Sequence, residues 1–415
     1  MYRMYRLPVA ALALLTTQVE AQERTAIRNA RIYTVSAPVI PSGTIVLSDG
    51  KIQAVGPDVP VPAGARVIDA AGRSVMPGIV ESHSHMGMKR LWLPADLDNN
   101  ELSGPINAQT RAIDSIDTRD HAFKIALAAG ITTMNLTNGS QTPNGGQPAV
   151  LKLRGGTVDD MYFAPGGMKF ALRTTFRERK IYPTTHMGVA SILRESLVAA
   201  QEYGKAFDLY NAGGKTAPPP RRDLKLEALS KVLKRELVVG AHAQSPLEIL
   251  NIIRIAKEFN LDLFIHHGTS LVDVVEEVAA AKIPVSFGPI LPGIGRESRL
   301  LMGPVRLTQL GGKVSFHQDH PDGPQYYLRH DAALFVRHGM SEADALKALT
   351  LNPAELFHLE KRIGSLEVGK DADVLILSGE PLEIDSHVEH VFVDGKEVYD
   401  RRKGLSIFAT NGGQQ

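Results

Sequence analysis

The feature that most constrains the fold is a regular alternation of short apolar runs and segments of helical periodicity through the middle of the chain. The apolar runs predict eight strands, at residues 75–81, 132–136, 149–153, 168–172, 237–241, 261–265, 283–287 and 313–316. Helical patterns separate most of them, at residues 118–129, 188–209, 224–234, 247–258 and 272–281. Eight strands over about 240 residues fit an α/β fold of the (β/α)8 TIM-barrel type, while a doubly wound open sheet would give the same alternation.

Short β-rich runs also lie at both ends of the chain. They cover residues 26–35, 43–47, 51–55 and 66–69 at one end, and 372–377, 388–393 and 397–399 at the other. Neither piece has enough apolar residues to bury a core alone. We therefore expect a small discontinuous β-sandwich domain built from residues 22–75 and 360–408, attached to a barrel of residues 76–359.

The first 21 residues have the pattern of a cleaved secretory signal peptide. Arg3 and Arg6 precede an apolar stretch at residues 7–15, and Val19-Glu20-Ala21 places small residues where a signal peptidase reads them. The stretch is too short to span a bilayer as a helix, and a buried strand or a membrane anchor is the alternative. We expect a periplasmic or secreted protein.

Composition limits the chemistry and the partners. The chain has no cysteine, which excludes disulfides, thiolate metal ligands and a cysteine nucleophile. The formal net charge is +1, so no overall field favours nucleic acid or anionic lipid. We expect a small-molecule or short-peptide substrate, no nucleic acid and no membrane span, and we leave a homo-oligomer open.

Metal-competent side chains lie at the ends of five predicted strands. His83 and His85 are two residues apart on a strand, so their imidazoles point to the same side. Because the carboxyl ends of barrel strands meet at one face, the pattern predicts a site for a divalent metal, with zinc as the first expectation and one or two ions. The other candidate ligands are Lys169, His242, His266 or His267, and Asp319.

Several motifs resemble those of the amidohydrolase superfamily, in particular its imidazolonepropionase-like periplasmic branch. Residues 76–85 are similar to the first-strand motif, His267-Gly268-Thr269 to the strand-6 motif and Asp319-His320-Pro321 to the strand-8 motif. Residues 351–354 and 364–373 resemble the closing signature. The resemblance covers nearly the whole mature chain.

The resemblance implies a role for each matching residue. His83, His85 and Asp319 would hold one metal, and His242 and His267 would hold a second or contact substrate. Lys169, if carboxylated on its amine, would bridge the two ions. Asp319 would act as acid–base catalyst, and His267 would stabilise an oxyanion if it is not a ligand. The implied reaction is hydrolysis of a C–N bond in an amide, peptide or cyclic amide by a metal-activated hydroxide.

The sequence departs from the family pattern at three strands. Lys169 is followed by Phe170-Ala171-Leu172 rather than by Gly-Glu-Asn-Pro, and a salt-bridged lysine near the barrel mouth is the alternative. Neighbours on a strand face opposite sides, so we expect His267 to face the metal and His266 to pack toward the helices. His317 lies two residues before Asp319, and we expect a packed barrel histidine rather than a catalytic one.

Loops after the strands supply candidate substrate contacts. Trp92 and Asn100 lie in a long loop after the first strand, of the kind that often walls a substrate pocket. Gln147 lies in a glycine-rich loop, and Arg173 follows strand 4, where it could bind a substrate carboxylate with two hydrogen bonds.

Three other functions are compatible with the same residues. Ester or lactone hydrolysis would use the same site. A deaminase would favour a glutamate near His242, but Ala243-Gln244 follows there. A non-catalytic binding protein on an inactive barrel would have no need of so complete a ligand set.

Overall fold

The computed structural model describes residues 24–89, 98–174, 180–215, 218–290 and 298–405. The signal peptide predicted at residues 1–21 and the predicted substrate contact Trp92 lie outside these ranges. In the described residues, no helix has both the length and the apolar character needed to cross a membrane.

The described residues form strands that are concentrated at the two ends of the chain and alternate with helices in between. The strands are β1 (Thr25–Ile32), β2 (Ile40–Ser48), β3 (Lys51–Gly56), β4 (Arg66–Asp69), β5 (Ser74–Pro77), β6 (Ile79–Ser84), β7 (Ile131–Leu136), β8 (Asn144–Gly146), β9 (Ala149–Lys152), β10 (Tyr162–Pro165), β11 (Met168–Ala171), β12 (Val239–Ala243), β13 (Leu263–His267), β14 (Val285–Phe287), β15 (Val314–Phe316), β16 (Val374–Leu377), β17 (Val388–Val393), β18 (Lys396–Asp400) and β19 (Gly404–Leu405). The helices are α1 (Ala122–Ala128), α2 (Val158–Met161), α3 (His186–Ala212), α4 (Leu224–Leu233), α5 (Pro246–Phe259), α6 (Val275–Ala281), α7 (Ser298–Gln309), α8 (Leu328–Arg337), α9 (Glu342–Leu349) and α10 (Leu351–Leu356).

Strands from the two ends of the chain form one nine-stranded sheet in the order β19-β18-β17-β16-β5-β1-β2-β3, with β4 paired to β1. The two ends join where β16 runs antiparallel to β5, with Leu375 opposite Met76. One face buries an apolar cluster that includes Ile27, Val374 and Phe392. Because the β5–β16 pairing connects both halves, the predicted β-sandwich is a single hydrogen-bonded sheet in the described residues.

A second sheet contains five successive parallel strands, in the order β15-β14-β13-β12-β11, with the short β8 antiparallel on β11. Helices α5, α6 and α7 connect strands β12 to β15 in turn. Strands β6 and β7 pair in parallel in a third sheet. Ser82 of β6 lies against the second sheet, because its Oγ is 2.7 Å from Ser286 Oγ and 3.2 Å from Ser315 Oγ.

Two of the eight predicted strands require correction. The predicted strand 75–81 is divided at Gly78 between the nine-stranded sheet and β6, and Gly78 is needed there because a Cβ atom would lie 2.1 Å from Thr132 Oγ1. The predicted third barrel strand, 149–153, is β9, which runs antiparallel to β7. An apolar run indicates burial but carries no information on strand direction.

A buried ion cluster fastens β9 to the nine-stranded sheet. Lys152 is fully buried, and its Nζ lies 2.7 Å from Asp371 Oδ2 and 3.1 Å from Asp373 Oδ2, with Asp394 also in contact. Burial would raise the pKa of Asp371, but hydrogen bonds from Arg362 and Lys152 lower it to about 2. Burial raises the pKa of Asp373 against the opposing charge of Lys152, so this carboxylate depends most on the buried ammonium.

We predict that Lys152→Met destabilises the protein by about 3–5 kcal/mol, because it removes the buried cation that lies beside the buried carboxylate of Asp373. Urea unfolding measures the change. Lys205→Met is the matched control, since its ammonium pairs with Glu202 on the surface and should cost only about 0–1 kcal/mol. Equal effects of the two substitutions would contradict a stabilising role for the cluster.

Candidate metal centre

The site is built where β6 ends beside the loop that follows β15. His83 Nε2 lies 3.0 Å and His85 Nε2 lies 3.3 Å from the same oxygen, Asp319 Oδ1. All three residues are buried, and their ligand atoms lie within 4.8 Å of one another. The His83 Nε2 and Asp319 Oδ1 atoms make no hydrogen bond of good geometry to any described residue. Their approach fits that of three ligands that could hold a metal ion.

Backbone contacts bring these two segments together. The Asp319 amide donates to the His83 carbonyl over 3.3 Å, and the His85 amide donates to the His320 carbonyl over 3.2 Å. Asp319 has a positive φ of 56°, a left-handed conformation that aspartate tolerates better than most residues. These contacts place the carboxylate beside both imidazoles.

Hydrogen bonds fix the ring tautomers of two histidines. His85 Nδ1 lies 2.7 Å from the Thr137 carbonyl, and His267 Nδ1 lies 2.9 Å from the Gly288 carbonyl. Because a carbonyl oxygen only accepts, both Nδ1 atoms carry the proton and donate it. Each Nε2 therefore presents a lone pair, the arrangement that metal-ligating histidines use.

Three further polar side chains enter the same interior from neighbouring strands. Lys169 of β11 is fully buried, and the His242 ring lies 4.3 Å from the His267 ring between centroids. Neither Lys169 Nζ nor either ring nitrogen of His242 has a hydrogen-bond partner in the described part of the chain. Unpaired buried polar atoms cost free energy. The unpaired ring lone pair of His242 fits the presence of a cation, and the unpaired amine of Lys169 fits a modified lysine.

Burial dominates the electrostatics of the site. It lowers the pKa of His85 and of His267 to about 3, and it lowers the pKa of Lys169 against the opposing charge of Asp319. It also raises the pKa of Asp319. The imidazoles are thus neutral near pH 7, and neutral imidazoles with a carboxylate form a donor set that suits zinc.

Comparison with solved structures identifies the family. The chain is similar to an amidohydrolase from Thermotoga maritima MSB8, with 34% sequence identity, coverage of 91% of this chain and 100% of that chain, and a TM-score of 0.85. This chain belongs to the amidohydrolase family. It is accordingly a hydrolytic enzyme acting on C–N bonds, with a fold of the TIM-barrel type that carries an extra domain.

Sequence comparisons agree with this assignment. An amidohydrolase family model matches residues 230–399. The chain is 25% identical over 400 residues to the imidazolonepropionase of Symbiobacterium thermophilum, covering 82% of this chain and 85% of that protein. It is also 25% identical over 395 residues to the amidohydrolase tasK of Hapsidospora irregularis, but that match covers 86% of this chain and only 40% of the relative's length.

The amidohydrolase brings together most of the residues singled out from its sequence. His83, His85 and Asp319 form the closest group, with Lys169, His242 and His267 beside them. Arg173 follows β11 at its carboxyl end, and its positive charge contributes to the lowered pKa values of His242 and His267.

The side chains of two predicted substrate contacts, Asn100 and Gln147, form hydrogen bonds with the protein backbone. Asn100 Oδ1 accepts from the Gln141 amide over 3.0 Å, which ties the loop after β6 to the loop after β7. Gln147 donates to the Ala108 carbonyl and lines a groove with Gly167 and Leu237. Those two residues precede β11 and β12, so Gln147 lies at the amino-terminal ends of the strands, opposite the metal-competent cluster. The structure therefore does not bring Gln147 to the metal-competent cluster, and its contact with substrate stays a prediction.

The expected orientation of His266 also requires correction. His267 has a positive φ of 73°, which breaks the alternation of side chains at the end of β13. Both imidazoles consequently face the interior, and the His266 ring lies 4.2 Å from the His83 ring between centroids. His266 does not pack toward the helices.

Two further buried residues lie beside the cluster: His317, which the sequence predicts as a packed barrel histidine, and Glu81, which the sequence did not single out. His317 is buried with its ring 4.8 Å from that of His83 and 5.0 Å from that of His267. Glu81 is fully buried, accepts from the Gln318 amide over 3.0 Å, and has its pKa raised to about 8 by burial. The spacing of Glu81 two residues before His83 was the available signal for it.

We predict that His83→Ala lowers zinc affinity by at least about 100-fold. Loss of a metal ligand should weaken binding more than loss of a residue that hydrogen-bonds to a ligand, which typically costs about 10–100-fold. Elemental analysis after zinc reconstitution and dialysis against a chelator measures the retained metal. His358→Ala is the control, because that histidine is exposed and pairs with Asp262. If His83→Ala retained as much zinc as the wild type, His83 would be excluded as a metal ligand.

Proposed function

We propose that this amidohydrolase cleaves an amide, peptide or cyclic amide bond with a divalent metal, zinc in the first instance. His83, His85 and Asp319 would hold the metal, and the convergence of both Nε2 atoms on Asp319 Oδ1 carries the proposal. The name of the imidazolonepropionase relative denotes action on an imidazolone. An imidazolone ring is a cyclic amide, which supports cyclic amides as one candidate substrate class.

The bound cation would supply a water of lowered pKa and a Lewis acid for the scissile carbonyl. Asp319 would accept the proton of the attacking water and return it to the leaving nitrogen, since an amine leaves only when protonated. The tautomer of His267 is fixed by Gly288, so its Nε2 is available as a ligand. The neighbouring His242 would complete the same end of the site.

The chemical state of Lys169 would decide whether one or two ions bind. Its buried amine has no partner in the described residues, and an ammonium or a neutral amine cannot bridge two cations. A carbamate on Nζ would place two oxygens there that share one negative charge. We propose this modification for a two-ion site, in which His242 and His267 would hold the second ion.

A barrel arrangement of the strands is part of the proposal. Strand β6 pairs with β7, and Ser82 carries it against β14 and β15 at the other side. This contact supports closure of the two sheets around the polar interior. The carboxyl ends of β6, β11, β12, β13 and β15 would then meet at one face, as in TIM-barrel enzymes.

Arg173 suggests that the substrate carries a carboxylate. It is exposed at the carboxyl end of β11, close enough to affect His242, His267 and Asp319 electrostatically. A guanidinium binds a carboxylate with two parallel hydrogen bonds. We therefore propose N-acyl amino acids, dipeptides or cyclic amides with a carboxylate as substrates.

We predict that the zinc-reconstituted protein hydrolyses members of a panel of N-acyl amino acids, Xaa-Pro dipeptides and cyclic amides. Asp319→Asn should lower kcat by at least about 10²–10⁴-fold, because it removes the acid–base group. Lactones and aminopurines belong in the same panel. Turnover of lactones alone would replace the proposal with an esterase, and turnover of aminopurines alone would replace it with a deaminase.

We predict that Arg173→Leu raises KM for an N-acyl amino acid by about 10–100-fold, the loss expected for a hydrogen-bonded charged pair. The matching C-terminal amide, which has no carboxylate, is the internal control and should keep its KM. Steady-state kinetics with both compounds makes the comparison. Equal changes for both compounds would rule out carboxylate recognition by Arg173.

A further inference from the structure

His266 makes a direct contact with a metal-competent histidine. Its Nδ1 lies 2.9 Å from His83 Nδ1, and both rings are buried. The ring planes meet at 75° with centroids 4.2 Å apart, so the nitrogen of one ring faces the edge of the other. Two imidazole nitrogens at this distance share one hydrogen bond, in which one ring donates and the other accepts.

The surroundings of His83 give the direction of that bond. His83 Nε2 faces Asp319 Oδ1 and would use its lone pair for the metal. A neutral imidazole has one ring proton, which must then reside on Nδ1 and point at His266. His266 Nδ1 is therefore the acceptor.

We infer that His266 is a positioning residue that holds the ring angle and the tautomer of His83, an inference that rests on the proposed metal-dependent function. His85 and His267 donate instead to backbone carbonyls. His83 thus depends on a side chain where its neighbours depend on the main chain, which makes its orientation open to substitution.

The fold leaves a fitted space for the His266 ring. A Cβ atom added to Gly240 would lie 2.6 Å from His266 Nε2 and 2.8 Å from Phe264 Cζ. Phe264 presents its ring edge-on to His266, with centroids 4.7 Å apart. Gly240 of β12 and Phe264 of β13 therefore pack against the His266 ring. The absence of a side chain at Gly240 permits the contact of His266 with His83.

Zinc affinity, measured by competition with a chromophoric chelator, tests the inference without relying on activity. His266→Phe keeps a ring in the space but removes the acceptor, and we expect zinc to bind about 10–100-fold more weakly, as for other residues behind metal ligands. His266→Asn places an amide oxygen near the position of Nδ1 and should restore most of the affinity. Phe392→Leu, a packing control in the buried apolar cluster of the nine-stranded sheet, should lower the melting temperature and leave zinc affinity close to that of the wild type.

Gly240→Ala provides an independent variant if His266→Phe fails to fold. Its methyl group should displace the His266 ring and weaken zinc binding although every polar group remains. Wild-type affinity in His266→Phe, or in a folded Gly240→Ala, would overturn the inference. Equal loss in His266→Asn and His266→Phe would also overturn it, because packing alone would then explain the effect. Failure of the wild-type protein itself to bind zinc would instead refute the proposed function.

Discussion

The site depends on the convergence of two imidazole nitrogens on one carboxylate oxygen in a buried space. His83 and His85 come from β6, and Asp319 comes from the loop after β15. Strand β6 and that loop lie side by side through backbone hydrogen bonds and through the contacts of Ser82 with β14 and β15. The packing of β6 against the second sheet is therefore what assembles the metal-competent group.

The molecule contains two buried polar clusters that meet the cost of burial in different ways. At Lys152, opposite charges from the protein neutralise one another and join β9 to the nine-stranded sheet. Around His83, neutral imidazoles and Lys169 far outnumber the carboxylates, and several polar atoms have no protein partner in the described residues. The first cluster pairs its charges within the protein and fits a structural role, whereas the lone pairs of the second fit the binding of an external cation.

The sequence predicted strands and candidate site residues correctly where an apolar run is followed directly by a metal-competent side chain. The positions of β11 to β15 and the residues at their carboxyl ends followed from apolar runs and from polar residues after them. The antiparallel direction of β9 could not be predicted, because an apolar run has no direction. His266 faces inward through the regular register of β13, in which it lies opposite His242. The left-handed backbone at His267 turns the next imidazole to the same side, and a non-glycine residue gives no sequence signal for that conformation. Gln147 lies away from the cluster because β8 runs antiparallel to β11, a direction that the sequence pattern does not show.

The central claim is that His83, His85 and Asp319 share a metal ion. Anomalous diffraction at the zinc edge, on crystals of the zinc-reconstituted protein, tests it most directly. The account predicts an anomalous peak about 2.0–2.2 Å from the two histidine nitrogens and one Asp319 oxygen. A well-ordered site with His83 and His85 in the same orientation and no anomalous peak between them and Asp319 would contradict the account.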